Sequence, residues 1–480
     1  MRRRKLYFLI FLVIFIFWNF LPTSESEDVI YEDNFDPVED EKFVKKYLEL
    51  MQKNRAPARP VIEKESSIFE NRWCFLSEPR YIEEHRKWTK MAGIEIFSAY
   101  YDDRPNSLFP HNSAIQVLIM SNHSVEGKVN FFCNLFVNQK YTVVRGYVRE
   151  IWQRGWDPRD TFQVPSLVTC PIPRRLDYPY SQYSVSLTRS KCKSQKVAIK
   201  VDPKPRISGK KNDVVVCVKG LDYKEEISGR LLEWIELQYI LGADMIGVYM
   251  YYLTDKTKNV LKYYEKMGKL RLNQISLSGS DPNSDEERSK FLKENRPQKR
   301  RHELIPYNDC FYRHIHTHNY VLILDIDEVV VPVNITNYSE LLRSVEKRLA
   351  GRNISSLSAR NVFKFQTNFA VSEDYRYMLN NKKRSKKMSK MGEFGKSFSS
   401  TSSVATVFNH FALHKLSEAS SKSVYLSPSE AIKLHYKSEC PWESRNECHD
   451  LQYDLIDDSS LDQFEKRLTS RVDKMRSLLL

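Results

Sequence analysis

Along the chain the spacing of hydrophobic residues passes through three regimes. The first is continuous: LYFLIFLVIFIFWNFL, residues 6–21, has one polar member, Asn19, and follows the basic MRRRK. Roughly 20 apolar residues span a bilayer and about 17 is near the lower limit, so this run predicts a short transmembrane anchor, with a cleaved signal peptide as the competing reading. The second regime, from about 66 to 208, is a series of short runs: IEIFSAYY, SAIQVLIMS, VNFFCNLFV, YTVVRGYVR, YSVSLT and KVAIKV. Asn-, Pro- and Ser-rich breaks part them, which predicts strands of a sandwich-like β-rich region. Residues 22–65, acidic and then proline- and charge-rich, read as a stem.

The third regime begins at about 212, where strand-like and helix-like periods alternate. DVVVCVKGL predicts a strand, and KEEISGRLLEWIELQYILGA a helix with Leu231, Ile235 and Tyr239 on one face and Gly242 at its end. MIGVYMYY predicts the next strand. NVLKYYEKMG follows as a helix aligned on Val260, Tyr264 and Met267 and stopped by Gly268, and KLRLNQISL is a third strand. After a basic loop, YNDCFYRHIHTHN reads as a helix leading into VLILDIDEVVVP, residues 321–332, which reads as one buried strand. This alternation implies a largely parallel α/β sheet, in which ligands bind beyond the carboxyl ends of the strands. The tail LDQFEKRLTSRVDKMRSLLL predicts an amphipathic helix through Phe464, Leu468 and Val472.

The run at 321–332 carries the candidate chemistry: Asp325, Asp327 and Glu328 crowd charges of one sign, which is unfavourable unless water or a cation reaches them. The bland reading makes Asp325 and Asp327 caps of the next turn. A second reading, a haloacid dehalogenase-type phosphatase, takes Asp325 as phosphoryl acceptor. Its motif should open a domain, whereas here strand–helix units come first. A third reading is a GT-A-type sugar-nucleotide transferase, whose D-x-D oxygens hold Mn²⁺ or Mg²⁺ against a donor diphosphate. The non-enzyme rival is a luminal sugar-binding ectodomain using the same acids for calcium. His314, His316 and His318 form H-x-H-x-H, and only 314 and 318 share a helix face as a zinc pair would. Favourable placement at a helix carboxyl end is the simpler explanation.

Lys and Arg exceed Asp and Glu by 14, which admits nucleic acid, anionic lipid or an anionic small ligand. The apolar amino-terminal run sends the body of the chain into the secretory lumen, with residues 1–5 cytosolic, and makes nucleic acid an improbable partner. Sequons at Asn122, Asn334, Asn337 and Asn353 suit that compartment, as do eight cysteines without a CxxC pair. Cys440 and Cys448, flanking CPWESRNEC, are the candidate disulfide. A buried free thiol is the alternative, especially for Cys217 inside an apolar strand. The run NNKKRSKKMSK, 380–390, reads as a solvated, mobile loop.

Residues 210 to about 450 resemble glycosyltransferase family 92. The resemblance rests on VVVCVKGL, EWIELQYILGADMIGVY, NDCFYRHIHTHNYVLILDIDEVVVP, EFGKS and SPSEAIKLHY, in that order. It implies an α/β fold with a GT-A-like Rossmann-type catalytic domain at 209–450, a β-rich accessory domain at 66–208 before it, and a carboxyl-terminal helix at 451–480. It also implies inverting transfer of galactose from UDP-galactose onto a glycan acceptor such as fucose on an N-glycan core. The body would face the Golgi lumen of a single-pass type II membrane protein. On this reading Asp325, Asp327 and His435 form the metal site and Asp325 and Lys219 meet the nucleotide sugar. Glu328 supports the turn. Glu393, preferred over Glu373 and Asp374, is the catalytic base that an inverting displacement requires.

Overall fold

The computed structural model describes residues 74, 79–82, 87–105, 112–350, 352–365, 376–416, 421–437 and 451–480, all within one compact unit. The expected anchor (6–21) and stem (22–65), the Cys440–Cys448 pair, and Glu373 and Asp374 lie outside these residues. Among the described residues no helix is long and apolar enough to cross a membrane.

Nine strands form the first sheet: β1 (Arg80–Ile82), β2 (Thr89–Met91), β3 (Ile94–Asp102), β4 (Ala114–Ser121) and β5 (Phe131–Val137), then β6 (Lys140–Glu150), β7 (Val164–Pro171), β8 (Tyr183–Thr188) and β9 (Val197–Lys200). Their order is β1-β9-β8-β5-β6-β7-β4-β3-β2. β6 is the corner. Its first half pairs with β5 up to Gly146, and from Tyr147 it pairs with β7. The sheet thereby turns back on itself and encloses a core in which Ile96, Val117 and Ile119 meet Leu135, Val185 and Leu187. A disulfide joins Cys133 of β5 to Cys170 of β7 across the corner. A Cβ on Gly146 would come 3.0 Å from Cys133 Sγ and 2.9 Å from Val168, so only glycine lets β6 pass under the bridge. Sequence patterning misses β7, because Pro165 and Pro171 mark its run as a poor strand.

The second sheet contains β10 (Asn212–Asp222), β11 (Met245–Tyr252), β12 (Leu270–Gln274), β13 (His318–Ile323), β14 (Glu328–Pro332) and β15 (Asn353–Phe365). A short β16 (Lys383–Ser385) precedes β17 (Lys396–Ser400), the hairpin β18 (Val404–Val407) and β19 (Ala412–Lys415), β20 (Ser421–Tyr425), β21 (Ala431–Lys437) and β22 (Leu455–Asp457). The sheet order is β12-β11-β10-β13-β17-β15-β21-β14. Its first four strands are parallel, as expected. Beyond β13 the sheet is mixed, with β17 antiparallel to both neighbours. The α/β class therefore holds, with the parallel half β12-β11-β10-β13 joined to a mixed half in which β15 pairs parallel with β20 and β21 and antiparallel with β17.

Helices α1 (Ser228–Ile240) and α2 (Asp255–Lys266) connect the first strands. Leu231 and Ile235 are buried, and Gly242 adopts φ +95° where the chain leaves α1. In α2 Val260 and Tyr264 face the core, but Met267 is exposed just past the helix end. The expected basic loop is helical: α3 (Asp285–Glu294) runs almost directly into α4 (Arg296–His314), which contains Pro306. After α5 (Tyr338–Arg348) and α6 (Tyr377–Asn380) the chain closes with α7 (Asp462–Leu479), whose Phe464, Leu468 and Val472 are buried as the pattern predicts. The 380–390 run is partly structured, with β16 paired to β22 and Lys382 paired with Asp462 and Glu465.

α4 joins the two sheets. Phe311 and Ile315 from its end share a buried cluster with Phe97, Leu118 and Leu167 of the β-rich region and Val215 and Tyr249 of the α/β sheet. Cys310 of α4 is bridged to Cys217 of β10, which removes the free-thiol reading of Cys217, and a third disulfide links Cys74 to Cys192. A Cβ at Gly247 would lie 2.7 Å from Cys310 Sγ, so β11 also makes room for a bridge with a glycine.

Candidate active site

The stretch 321–332 is two strands, not one. β13 ends at Ile323 and β14 begins at Glu328, and a turn closed by Glu328 N–H donating to the Asp325 carbonyl separates them. The strands then diverge, β13 into the parallel half beside β10 and β14 to the far edge beside β21. The carboxylates thus sit at the carboxyl end of the parallel strands, where the chain crosses from β13 to the far edge of the sheet. Trp234 of α1 donates to the Glu328 carbonyl at 2.9 Å and holds the turn from below.

Lysines compensate the acids. Asp325 Oδ1 lies 3.1 Å from Lys219 Nζ and its Oδ2 lies 3.4 Å from Lys396 Nζ. Glu328, fully buried, accepts from Lys433 at 2.6 Å and pairs with Lys396 at 3.1 Å. Asp327 accepts from Lys437 at 2.7 Å and lies 3.5 Å from His435 Nε2. Burial pushes all three carboxyls up, but the lysines beside Asp325 and Glu328, and the His435 hydrogen bond with Lys437 beside Asp327, outweigh it and hold each well below the usual carboxylate range. Burial pushes Lys433 down to about 8, and burial together with the Lys433 charge lowers His435 from its ordinary value. The opening strain of three like charges is thereby resolved within the chain itself.

Asp327 and His435 are the members open to a cation. The Asp327 side chain is 34% exposed. Its 3.5 Å separation from His435 Nε2 is close to the ~3 Å between neighbouring ligands of an octahedral ion with ~2.1 Å bonds. Ligation through Nε2 puts the imidazole proton on Nδ1, 3.4 Å from Lys433 Nζ, so the lysine then holds only Glu328 and the Phe394 carbonyl. Asp325 is engaged by its two lysines. Among the described residues no group of three His, Cys, Asp or Glu side chains stands ready to hold an ion. The donor set fits a hard divalent ion that takes one carboxylate and one imidazole and leaves its other positions to phosphate and water.

Of the other sequence candidates, Glu393 borders the lysine cluster and the three histidines lie away from it. Glu393 lies exposed in a turn, two residues after Met391 and next to Phe394, whose carbonyl accepts from Lys433. Burial drives His314 well below its ordinary range and His318 down to about 4, so neither carries the charge that a favourable helix-end placement needs. The ring of His314 packs edge-on against that of His318, and His316 bonds the Tyr101 carbonyl, so the three serve packing. Asn122, Asn334 and Asn353 are exposed, while half-buried Asn337 caps α5 by accepting from Glu340 N–H.

Lys396, Lys433, Lys437, Tyr307 and Asn409 were not read from the sequence. Tyr307 of α4 donates to Asp325 and Asn409, and Asn409 accepts from Lys396 at 2.6 Å. A signal did exist for two of them. In AIKLHYK the residues at 433, 435 and 437 alternate along a strand and therefore share one face.

The sequence profile of glycosyltransferase family 92 matches residues 212–472, more than half of the 480-residue chain. Among curated proteins none matches. Among solved structures, S. aureus TarS 1-349 in complex with UDP is similar over 33% of this chain and 37% of that one, at 12% identity and a TM-score of 0.20. The overlap spans little more than a third of that structure, and a likeness at that level carries no argument here.

Proposed function

Because the chain belongs to glycosyltransferase family 92, we propose that it moves galactose from UDP-galactose onto a glycan hydroxyl, with inversion, as a lumen-facing single-pass Golgi protein. The observation that carries this reading is the ionised Asp325–Glu328 turn at the carboxyl end of the parallel strands, ringed by Lys219, Lys396, Lys433 and Lys437. Such a ring of cations, with Lys219 and Lys437 partly exposed, suits a ligand that brings its own negative charge, as a diphosphate does. The family also displaces the phosphatase alternative, and the ion pairs of Asp325 with two lysines do not suit a phosphoryl acceptor.

In this mechanism Lys219 and Lys437 exchange carboxylate for diphosphate oxygens as the donor enters, while buried Lys396 and Lys433 keep the turn rigid. The acceptor oxygen attacks the anomeric carbon from the face opposite the diphosphate. The bond from that carbon to the diphosphate oxygen breaks, UDP leaves with the electron pair, and the hydroxyl proton passes to Glu393 as the proposed base. A Mn²⁺ or Mg²⁺ ion held by Asp327 and His435 would neutralise charge gathering on the departing diphosphate. Disulfides at Cys74–Cys192, Cys133–Cys170 and Cys217–Cys310 support the luminal setting. Exposed Asn122, Asn334 and Asn353 are the proposed glycan acceptors there, and Asn337 is a fourth whose capping role competes.

The test is UDP release and sugar transfer by the full chain in detergent, with UDP-galactose and a core-fucosylated N-glycopeptide, and manganese titrated against chelator. Manganese-dependent transfer is expected. Absence of UDP release from any UDP-hexose would overturn the transferase reading, and full transfer in excess chelator would remove the metal from it.

A further inference from the structure

Among the described residues, the loop between β6 and β7 brings the β-rich region beside the β18–β19 hairpin. Residues 151–163, between β6 and β7, are anchored by Trp152, which is buried, donates to the Asp157 carbonyl at 2.9 Å and lies under the Arg301 guanidinium at 4.4 Å. Four residues later the same loop does the reverse and leaves Trp156 42% exposed. Its indole stands edge-on to Phe408 at 5.0 Å and tilted beside His410 at 5.8 Å. Both belong to the β18–β19 hairpin turn, whose Asn409 accepts from Lys396 and Tyr307, the partners of Asp325. One four-residue turn, 408–411, therefore presents Asn409 to the partners of Asp325 and its neighbouring rings to an exposed indole.

We propose that Trp156 is a stacking platform for a sugar ring of the acceptor glycan, supplied to the α/β site by the β-rich region; this rests on the transferase reading above. Pyranose rings carry patches of C–H bonds with slight positive charge, which suit the negative face of an indole, and a rigid aromatic immobilises them at small entropic cost. The donor has a different place. In this proposal it sits at the carboxyl end of β10, where Lys219 meets Asp325 and Arg288 pairs with Asp222. Trp156 stands beside the turn that carries Asn409, and in this proposal the acceptor comes in over that turn. Trp152, under Arg301, also lies 5.7 Å from the Phe408 ring and so ties the loop to the turn.

Two measurements on the full chain in detergent test this. In steady-state transfer to a core-fucosylated N-glycopeptide, Trp156→Ala is expected to raise the acceptor KM about tenfold, with the donor KM moving less than about twofold. Trp156→Phe, which keeps an aromatic face, should return the acceptor KM to within about threefold of the parent. Saturation-transfer NMR of the same glycopeptide without donor should show sugar-ring protons saturated by the parent and lost with Trp156→Ala. An unchanged acceptor KM, an equal rise in donor KM, or saturation that survives Trp156→Ala overturns the proposal. Sugar saturation that depends on Trp156 in a protein that transfers nothing would sustain the platform and overturn the transferase reading alone. Absence of both transfer and sugar saturation overturns the platform as well.

Discussion

Asp102 with Arg104, and the Asp325–Glu328 turn with its lysines, are both buried sets of opposite charges, and they are built from different cations. Arg104 grips Asp102 with two parallel bonds of 2.8 and 2.9 Å and spends its remaining nitrogen on the Thr401 and Val404 carbonyls. Burial pushes Asp102 up, but Arg104 outweighs it and holds the carboxyl below its ordinary range. Every donor of that fork has a partner, and the effect is to fasten the β-rich region to the β17–β18 connection. The turn at 325–328 uses ammonium groups instead, and its outer pair, Asp327 and Lys437, is 34% and 31% exposed. A planar fork fixes geometry, whereas a lysine is a point charge on a flexible stem that can change partners. The difference separates a tie from the exchangeable pairs of the proposed site.

The largest effect should fall on the tie. Arg104→Met leaves Asp102 buried without its partner, and a broken buried pair costs roughly 3–5 kcal/mol. Denaturant unfolding should show that loss, while UDP release per folded molecule stays close to the parent value. At the site the balance inverts. Asp327→Asn keeps the shape and removes the charge, so the unfolding midpoint should change little while transfer falls about 10²–10³-fold. Transfer by Asp327→Asn near the parent rate would erase the distinction.

The sequence shows some of this arrangement and hides the rest for physical reasons. The apolar run before Asp325 and the D-x-D itself are local, so the acids stand out, and α7 shows its buried face through Phe464, Leu468 and Val472. The break between β13 and β14 is hidden, because an apolar stretch on either side of a tight turn looks like one strand. Lys396 is buried and ionised only because Asp325 and Glu328 lie across the sheet from it, a relation about 70 residues long that no window contains. Trp156 is less legible still, since its meaning depends on a hairpin some 250 residues later. Local periodicity finds elements and their faces, and long-range register decides which charges meet.

The third test concerns acid. His318, near the tie, is held neutral by burial, its pKa lowered from 6.5 to about 4. The unfolded chain therefore binds a proton that the folded chain refuses between those values, so this stability is fully present above pH 6.5 and is lost as pH falls toward 4. His318 should contribute about 2–3 kcal/mol to that decline. His318→Gln, which cannot take up the proton, should flatten the pH dependence of the unfolding midpoint between pH 6.5 and 4; an unchanged slope would show that His318 titrates freely.

The smallest effect sharpens the comparison most, because it asks whether the lysines of the site are replaceable. Lys437 donates to Asp327 at 2.7 Å, the oxygen that faces His435 and that a divalent ion would use. Lysine and ion therefore compete for one carboxylate. Both side chains are about a third exposed, so solvent screens the pair and it is worth at most about 1 kcal/mol. Lys437→Met should then lower the manganese concentration for half-maximal transfer by only about three- to fivefold. The same change removes a cation from the diphosphate, so the donor KM should rise by a similar factor. Opposite movement of the two constants is what an exchangeable counter-ion produces, whereas a purely structural lysine would lower the unfolding midpoint and leave both constants in place. If the manganese requirement rises instead, Lys437 holds Asp327 in position for the ion, and the outer pair of the site is a tie like Asp102 and Arg104.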